Sequence, residues 1–203
     1  MGRLHEENNG FKSLGNNVNI YSGAKIFGRE YISIGDNVII DDFVFIYATA
    51  PMFIGSYIHI ASFTSITGGG VVVLEDFSTL SSGIRVFSGS DDFLGGGLTN
   101  STIPEKYRKV IRSYVHIGRH AIIGANTVVL PGVTIAEGVA VGSGSVVNKS
   151  LDSWGIYVGS PARKIKDRPS EIILSSEQAL LDEGLFQPLH ASTFNSFLER
   201  SID

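Results

Sequence analysis

The sequence predicts an all-β fold: a parallel β-helix of about six coils with three short strands in each. Three observations predict it. Aliphatic residues begin six-residue units along most of the chain, often followed by glycine or another small or polar residue, with a small or β-branched residue at the fifth place. In the N-terminal half these units group in threes, each triplet beginning twenty residues after the last. Glycine occurs 24 times in 203 residues, which marks repeated tight turns. A sandwich with glycine-rich turns would share the third feature but has no reason to keep a fixed period.

The first four triplets start at Leu14, Ile20 and Ile26, then Ile34, Ile40 and Ile46, then Ile54, Ile60 and Ile66, then Leu74, Leu80 and Val86. Two extra residues therefore fall at one corner of each of these turns. The clearest run comes later, "IGRHAIIGANTVVLPGVTIAEGVAVGSGSVV", with starts at Ile117, Ile123, Val129, Ile135, Val141 and Val147. Its fifth places are Ala121, Thr127, Val133, Val139 and Ser145. Each hexad reads as a short strand plus a turn, and three of them close a triangular coil. First and fifth positions point inward, and successive coils pair through parallel hydrogen bonds.

Between Val86 and Ile117 the count stops. About two dozen residues, 88–113, are extruded, reading "SGSDDFLGGGLTNSTIPEKYRKVIRS". They have no strong secondary-structure signal, and a long loop of this kind is functional or disordered. Phe93, Tyr107 and the cations Lys106, Arg108, Lys109 and Arg112 suggest that it folds against something, while Gly95, Gly96 and Gly97 permit unusual backbone geometry. The next break is "GSPARKIKDR", where proline ends the solenoid and Arg163, Lys164, Lys166 and Arg168 crowd together. On composition alone that turn is equally a solvated cap. Two helices follow: "SEIILSSEQALLDEG", with a capping-type Ser170 and a terminal Gly184, and the shorter "ASTFNSFLER". The domains are thus a β-helix over residues 1–168 and a helical appendage over 169–203.

Composition narrows the function. A net charge of −4 gives no general attraction for nucleic acid or anionic membrane, so any basic site is local. There are no cysteines, which removes disulfides, thiol catalysis and thiolate zinc sites. No apolar run approaches the ~18–20 residues of a membrane span, and "MGRLHEENNG" is too polar for a signal peptide, so the expected location is the cytoplasm.

The hexad run together with "GSPARKIK" is similar to the hexapeptide-repeat acyltransferases, most closely those acting on sugars and nucleotide sugars. The likeness covers residues 14–168. It implies a left-handed helix, against the usual right-handed crossover preference, and a homotrimer whose active sites lie between neighbouring prisms, walled by the extruded loop. It implies acetyl-CoA as co-substrate, running past Gly124, Ala125, Ser143 and Gly144, where bulky side chains would block it. Ser160 and Ala162 lie in "GSPA", which resembles a family turn beside the far end of the cofactor. Lys164, Lys166 and Arg168 then become partners for its phosphates.

Sugar O-acetyltransferases of the family carry a histidine base five residues after the third aliphatic of a coil. Five residues after Val86 stands Asp91. A hydroxyl needs a strong, poised base, whereas an amine becomes a nucleophile on losing one proton, which a carboxylate can accept. Asp91 therefore points to an amino-sugar acceptor and N-acetylation, with Asp92 supporting at the amine or the sugar hydroxyls. Both aspartates can equally serve turn chemistry. Ser90, Phe93, Tyr107, Arg108, Arg112 and His116 are expected at the acceptor, with the basic cluster meeting a diphosphate. His116 reads first as an ordinary, inert surface histidine and second as an acceptor contact. His59, His116 and His120 do not keep the spacing of the metal-binding members of this fold, so no metal is expected, and His5 and His190 carry no signal. The acceptor expected from family habit is a nucleotide-linked amino sugar for surface polysaccharide such as lipopolysaccharide O-antigen. Two alternatives stay open: an O-acetyltransferase of a sugar or antibiotic with His59 or His116 as a relocated base, and a non-catalytic scaffold.

Overall fold

The computed structural model describes residues 10–188. Three columns of short parallel strands form the three faces of a prism. The first face stacks strands 13–14, 32–34, 52–54, 71–74, 114–117 and 133–135; the second 19–20, 39–40, 59–60, 79–80, 122–123 and 140–141; the third 25–27, 45–47, 65–67, 85–87, 128–129 and 146–147. Every hexad start meets its counterpart one coil away. Leu14, Ile34, Ile54, Leu74, Ile117 and Ile135 are register partners in sequence, as are Ile20, Ile40, Ile60, Leu80, Ile123 and Val141. Ile26, Ile46, Ile66, Val86, Val129 and Val147 complete the third file. This is the parallel solenoid of a left-handed β-helix.

The files meet in one core. From Ile40 to Val147 the starting aliphatics are essentially sealed, and so are Ala121, Thr127, Val133, Val139 and Ser145 at the fifth places. Each fully buried isoleucine or leucine contributes about 1.5–3 kcal/mol of transfer free energy. The repeat is therefore the record of which side chains point inward.

The stack runs about one coil beyond the six expected. Leu151 bridges Ile135, and strand 155–158 pairs with 140–141, placing Tyr157 beside Val141. Neither Leu151 nor Tyr157 keeps the six-residue phase, and the buried tyrosine satisfies its hydroxyl on the backbone of Asp152. An antiparallel edge strand, Arg163–Asp167, then closes the second face. A helix follows at Glu171–Asp182, with Ser170 at its N-cap and Gly184 just beyond its end in the left-handed region. The Ser170 side chain makes no capping bond. The second expected helix, in "ASTFNSFLER", lies outside the described residues, as do His5 and His190.

Glycine is not the main corner residue. At the corner between the first and second faces the left-handed backbone falls on Asn17, Asn37, Tyr57, Phe77, His120, Gly138 and Trp154, and at the next corner on Phe43, Phe63, Gly83, Asn126 and Gly144. A left-handed residue other than glycine costs roughly 1–2 kcal/mol. Stacking at these corners, worth about 0.5–1.5 kcal/mol per pair, offsets it. Tyr57 lies 5.2 Å from Phe77, Phe77 lies 5.1 Å from His120, and Phe43 lies 5.1 Å from Phe63. The two surplus residues of each N-terminal turn sit at the third corner.

Candidate active site

The extruded segment leaves the prism at that third corner, after strand 85–87, and it is a β-hairpin rather than a structureless loop. Gly89–Asp91 pairs antiparallel with Val110–Arg112, setting Gly89 opposite Arg112, Ser90 opposite Ile111 and Asp91 opposite Val110. Leu98 N–H reaches back to the Tyr107 carbonyl, and Glu105–Tyr107 forms one 3-10 turn. The root is built over a second glycine triplet, Gly68–Gly70. The Gly70 amide donates to Ser88 Oγ at 3.0 Å, and Ser113 N–H donates to the Ser88 carbonyl at 2.8 Å. A β-carbon on Gly68 would stand 2.2 Å from the Gly89 nitrogen, and one on Gly70 would stand 1.8 Å from the Ser113 oxygen. Only bare backbone lets the two chains cross there.

The strand's alternation separates the two adjacent acids. Asp91 is about a third exposed, at 32% for its side chain. Its Oδ2 accepts the Asn100 N–H at 3.0 Å, and its Oδ1 lies 3.4 Å from Arg108 Nη2, a long and weak contact. That carboxylate retains lone pairs for a ligand. Asp92 is buried, with Oδ1 accepting from Leu94 N–H at 3.0 Å and Oδ2 from Gly96 N–H. Those two backbone bonds, with Lys109 adding its charge, hold its carboxyl below the usual aspartate range against a smaller opposing effect of burial. The structure thus gives Asp92 a turn role, buried and with each carboxylate oxygen accepting one backbone N–H.

That contrast yields a prediction with a definite sign. Because the Asp92 carboxyl is lowered, its contribution to loop order is fully present above the ordinary aspartate value and is lost as pH falls through the lowered one. Amide exchange at Leu94 and Gly96 is expected to accelerate in that acid window. In Asp92→Ala it is expected to be fast already at neutral pH, with no further change on acidification. Equal protection in both proteins at neutral pH would remove the turn role.

The other hairpin residues divide. Ser90 Oγ donates to the Asp91 carbonyl at 2.7 Å, which occupies its hydroxyl proton. Phe93 and Leu94 project almost wholly into solvent, at 91% and 92% exposure, so the tip does not fold against its own prism. Tyr107 is exposed with Lys106 Nζ 4.8 Å from its ring centre, while Arg112 lies over Gly69. The Arg108 Nε is buried without a hydrogen-bond partner. Arg108 and Asp91 face one another as the sequence could not have shown.

His116 is not part of this group. It sits on strand 114–117 with Nε2 2.6 Å from Glu75 Oε1, and Glu75 Oε2 accepts the Arg119 N–H at 3.1 Å. Burial raises the Glu75 carboxyl, but the hydrogen bond and charge of His116 and the Arg119 contacts outweigh it, leaving the group below its ordinary value. His59 pairs with Asp41 at 3.1 Å. His120 is a corner residue bound to Glu177 at 2.7 Å. Among the described residues no group of three or more histidine, cysteine or acidic side chains could hold a metal ion.

Of the residues expected along coenzyme A, Gly124, Ala125, Ser143 and Gly144 do come together, stacked at the corner between the second and third faces. The Gly144 N–H donates to the Ala125 carbonyl at 2.8 Å, and a β-carbon on Gly144 would meet nothing within 4 Å. The "GSPA" turn caps the same edge, since Gly159 N–H donates to Ser145 Oγ, the Gly159 carbonyl accepts from Val146 N–H, and Ala162 N–H donates to the Val146 carbonyl. Ser160 is exposed there, whereas the Ala162 methyl is buried in the core. Lys164 and Lys166 lie on the exposed edge strand, Lys164 paired with Asp167 at 2.7 Å. Arg168 departs from expectation. Its Nη1 donates to the carbonyls of His120 at 2.8 Å and Gly138 at 3.0 Å, because the chain turns there toward the first corner. Through that nitrogen it staples coils together.

A prism of hexads with a carboxylate-bearing hairpin and a small-residue lane defines a class, and comparison with known proteins bears on it directly. The bacterial transferase hexapeptide (six repeats) model matches residues 114–149. The dTDP-4-amino-4,6-dideoxy-D-glucose acyltransferase of Escherichia coli is 39% identical over 180 residues, covering 88% of this chain and 90% of that one. A putative lipopolysaccharide biosynthesis O-acetyl transferase of E. coli K12, WbbJ, is 32% identical over 78% of this chain and 73% of its own. The Bacillus cereus N-acyltransferase AntD, crystallised with dTDP and 3-hydroxybutyryl-CoA, superposes with a TM-score of 0.80 at 43% identity, over 86% of this chain and 93% of that one. AntD has also been crystallised with dTDP-4-amino-4,6-dideoxyglucose and coenzyme A, and as variants at one serine and one aspartate ten residues apart. The chain belongs to the hexapeptide-repeat acyltransferases.

Proposed function

We propose that this protein transfers an acyl group, acetyl in the simplest case, from a coenzyme A thioester to the amino group of a dTDP-linked 4-amino-4,6-dideoxy sugar. The observation that carries the reading is Asp91: a partly open carboxylate stands on the extruded hairpin where the family's hydroxyl-acetylating members place histidine. The sugar arrives as an ammonium, which the carboxylate attracts and from which it accepts one proton. The freed lone pair attacks the thioester carbon, the tetrahedral adduct collapses as the nitrogen's second proton passes to the departing sulfur, and the carbon–sulfur bond breaks to release the amide and the CoA thiol. A backbone N–H along a coil serves the developing oxyanion without a charged side chain. Arg108 beside Asp91, with Tyr107 in the turn before the returning strand and Arg112 on it, suits a nucleotide diphosphate.

The varied serine and aspartate of AntD stand ten positions apart, a separation that Ser81 and Asp91 keep here, as do Ser82 and Asp92; of the two acids only Asp91 is partly open, and its pair is the one taken. Here Ser81 sits before strand 85–87 and Asp91 beyond it, at opposite ends of one prism side. A site using both joins two copies, and the exposed Phe93–Leu94 tip then has a neighbour to meet. We therefore read the protein as a homotrimer. The O-acetyl transferase relative is named for lipopolysaccharide biosynthesis, and surface polysaccharide is the pathway class we assign. No helix among the described residues is long and apolar enough to cross a membrane. The acyl-CoA and nucleotide-sugar substrates of the proposed reaction support reading it as cytoplasmic.

The test is thiol release from acetyl-CoA and 3-hydroxybutyryl-CoA with dTDP-4-amino-4,6-dideoxyglucose and with its 4-hydroxy counterpart. Release with the amine alone is expected. A second reading is favoured by one contact, the 2.6 Å His116–Glu75 pair, which has the form of a base held by its orienting acid. Release with the hydroxyl sugar, abolished in His116→Gln, would establish that reading instead.

A further inference from the structure

We infer that Glu177, on the C-terminal helix and outside every site described above, is a positioning residue for the basic strand Arg163–Asp167, and through it for the phosphate end of coenzyme A. The inference rests on the proposed function in one respect: it takes Lys164 and Lys166 as phosphate partners.

The contacts form a continuous series. Glu177 is a buried carboxylate on helix Glu171–Asp182, the one charged side chain that this otherwise mostly exposed helix buries among the described residues. One oxygen lies 2.7 Å from His120 Nε2 and the other pairs with Arg119 Nη1. Arg119 in turn reaches Asp76 at 3.6 Å, and its guanidinium lies 5.5 Å from the Phe186 ring centre and 6.0 Å from that of Phe77. Phe186 is itself buried, packed edge-on against Phe77 at 4.6 Å, and the Leu185 carbonyl accepts from the Tyr57 hydroxyl. The helix is thus latched to the aromatic file at the first corner by a charge cluster and a ring.

The same file anchors the basic strand. The His120 ring lies 6.3 Å from that of Trp154, and the two approach across Gly138, where a β-carbon would strike the indole at 2.4 Å. Arg168 N–H donates to the Trp154 carbonyl at 2.7 Å, and its guanidinium takes the carbonyls of His120 and Gly138. Arg168 directly follows Asp167, the last residue of the strand. That strand is a two-sided liability: it is exposed along its whole length and paired on one edge only. Its far end is secured where the latch secures His120, and two residues separate Arg168 from the helix. Removing Glu177 leaves Arg119 without its closest carboxylate and His120 without its partner inside a desolvated cluster, which releases the helix and loosens the Arg168 anchor. Lysines on a fraying edge present phosphates with a less defined geometry.

The experiment compares Glu177→Gln, Tyr57→Phe and the double variant Lys164→Ala/Lys166→Ala with the parent full-length chain. Coenzyme A affinity is measured by calorimetry, KM is measured for both substrates, and amide exchange is followed along residues 163–167. Glu177→Gln is expected to bind coenzyme A about tenfold more weakly, within the usual range for coupled sites. It should exchange the 163–167 amides faster while KM for the nucleotide sugar and protection of strands 122–123 and 140–141 stay at parent values. Tyr57→Phe, which removes only the bond to Leu185, is expected to move the same readouts in the same direction and serves if Glu177→Gln does not fold. If the lysine variant weakens coenzyme A binding and neither latch variant does, the inference is wrong while the function stands. If the lysine variant binds as the parent does, the assignment of the phosphates to this strand fails, and the inference fails with it.

Discussion

Asp91→Asn is expected to lower kcat by about 10²–10⁴, the range for removing a positioned acid–base group, with coenzyme A affinity unchanged. The substitution is nearly isosteric, and the asparagine oxygen can still accept the Asn100 N–H that Asp91 Oδ2 takes at 3.0 Å. The hairpin ladder between 89–91 and 110–112 is made by backbone and does not depend on the carboxylate. What the variant loses is the ability to take a proton and to attract an ammonium. Arg108, 3.4 Å away, also loses its ionic partner, although at that distance little binding energy is at stake. Thiol release assayed with the amino sugar, alongside calorimetric binding of coenzyme A, separates loss of chemistry from loss of fold. Near-parent turnover would make Asp91 a brace between Asn100 and Arg108 and nothing more.

Gly70→Ala is expected to destabilise the protein by about 1–3 kcal/mol or more, as overpacking against immovable neighbours does, and to cost activity as well. The new β-carbon would stand 1.8 Å from the Ser113 carbonyl oxygen and 2.5 Å from that of Ser88. Both are backbone atoms at the hairpin's root, so no rotamer change relieves the clash. The 2.8 Å bond from Ser113 N–H to Ser88 would have to open, and the strand carrying Asp91 would shift with it. A urea midpoint for the variant, read beside its turnover, checks both parts; an unchanged midpoint would show that the root has slack that the structure does not display.

The prism was legible because its cause is periodic. A residue that points inward in one coil has a register partner that points inward in the next, so the hexad starts from Leu14 to Val147 could be read directly. Legibility ends where the cause changes. Leu151 and Tyr157 fill the last coil out of phase, and a tyrosine that satisfies its hydroxyl on local backbone leaves no aliphatic mark. Glycine content marks tight turns without saying which residue takes each corner; stacking lets Tyr57, Phe77 and His120 hold a left-handed backbone, and no single-residue preference reports that. The hairpin pairs three residues with three others nineteen or more positions away, too short and too distant for a pattern. Asp91 and Asp92 were legible as a pair but not as opposites, since a strand's alternation sends one outward and one into the turn. Arg168 shows the limit of composition: four cations within six residues locate charge, but only the fold decides that one guanidinium turns back onto carbonyls.

The third corner has a wider consequence. Leu74 and Ile117 are register neighbours although 43 residues part them, just as Ile54 and Leu74 are with 20 between their positions and Ile117 and Ile135 with 18. Coil height is set by the ladder alone and is indifferent to contour length at that vertex. The vertex is therefore an open port in an otherwise closed architecture, where chain of almost any length can be spliced in or exchanged while the scaffold above and below continues undisturbed.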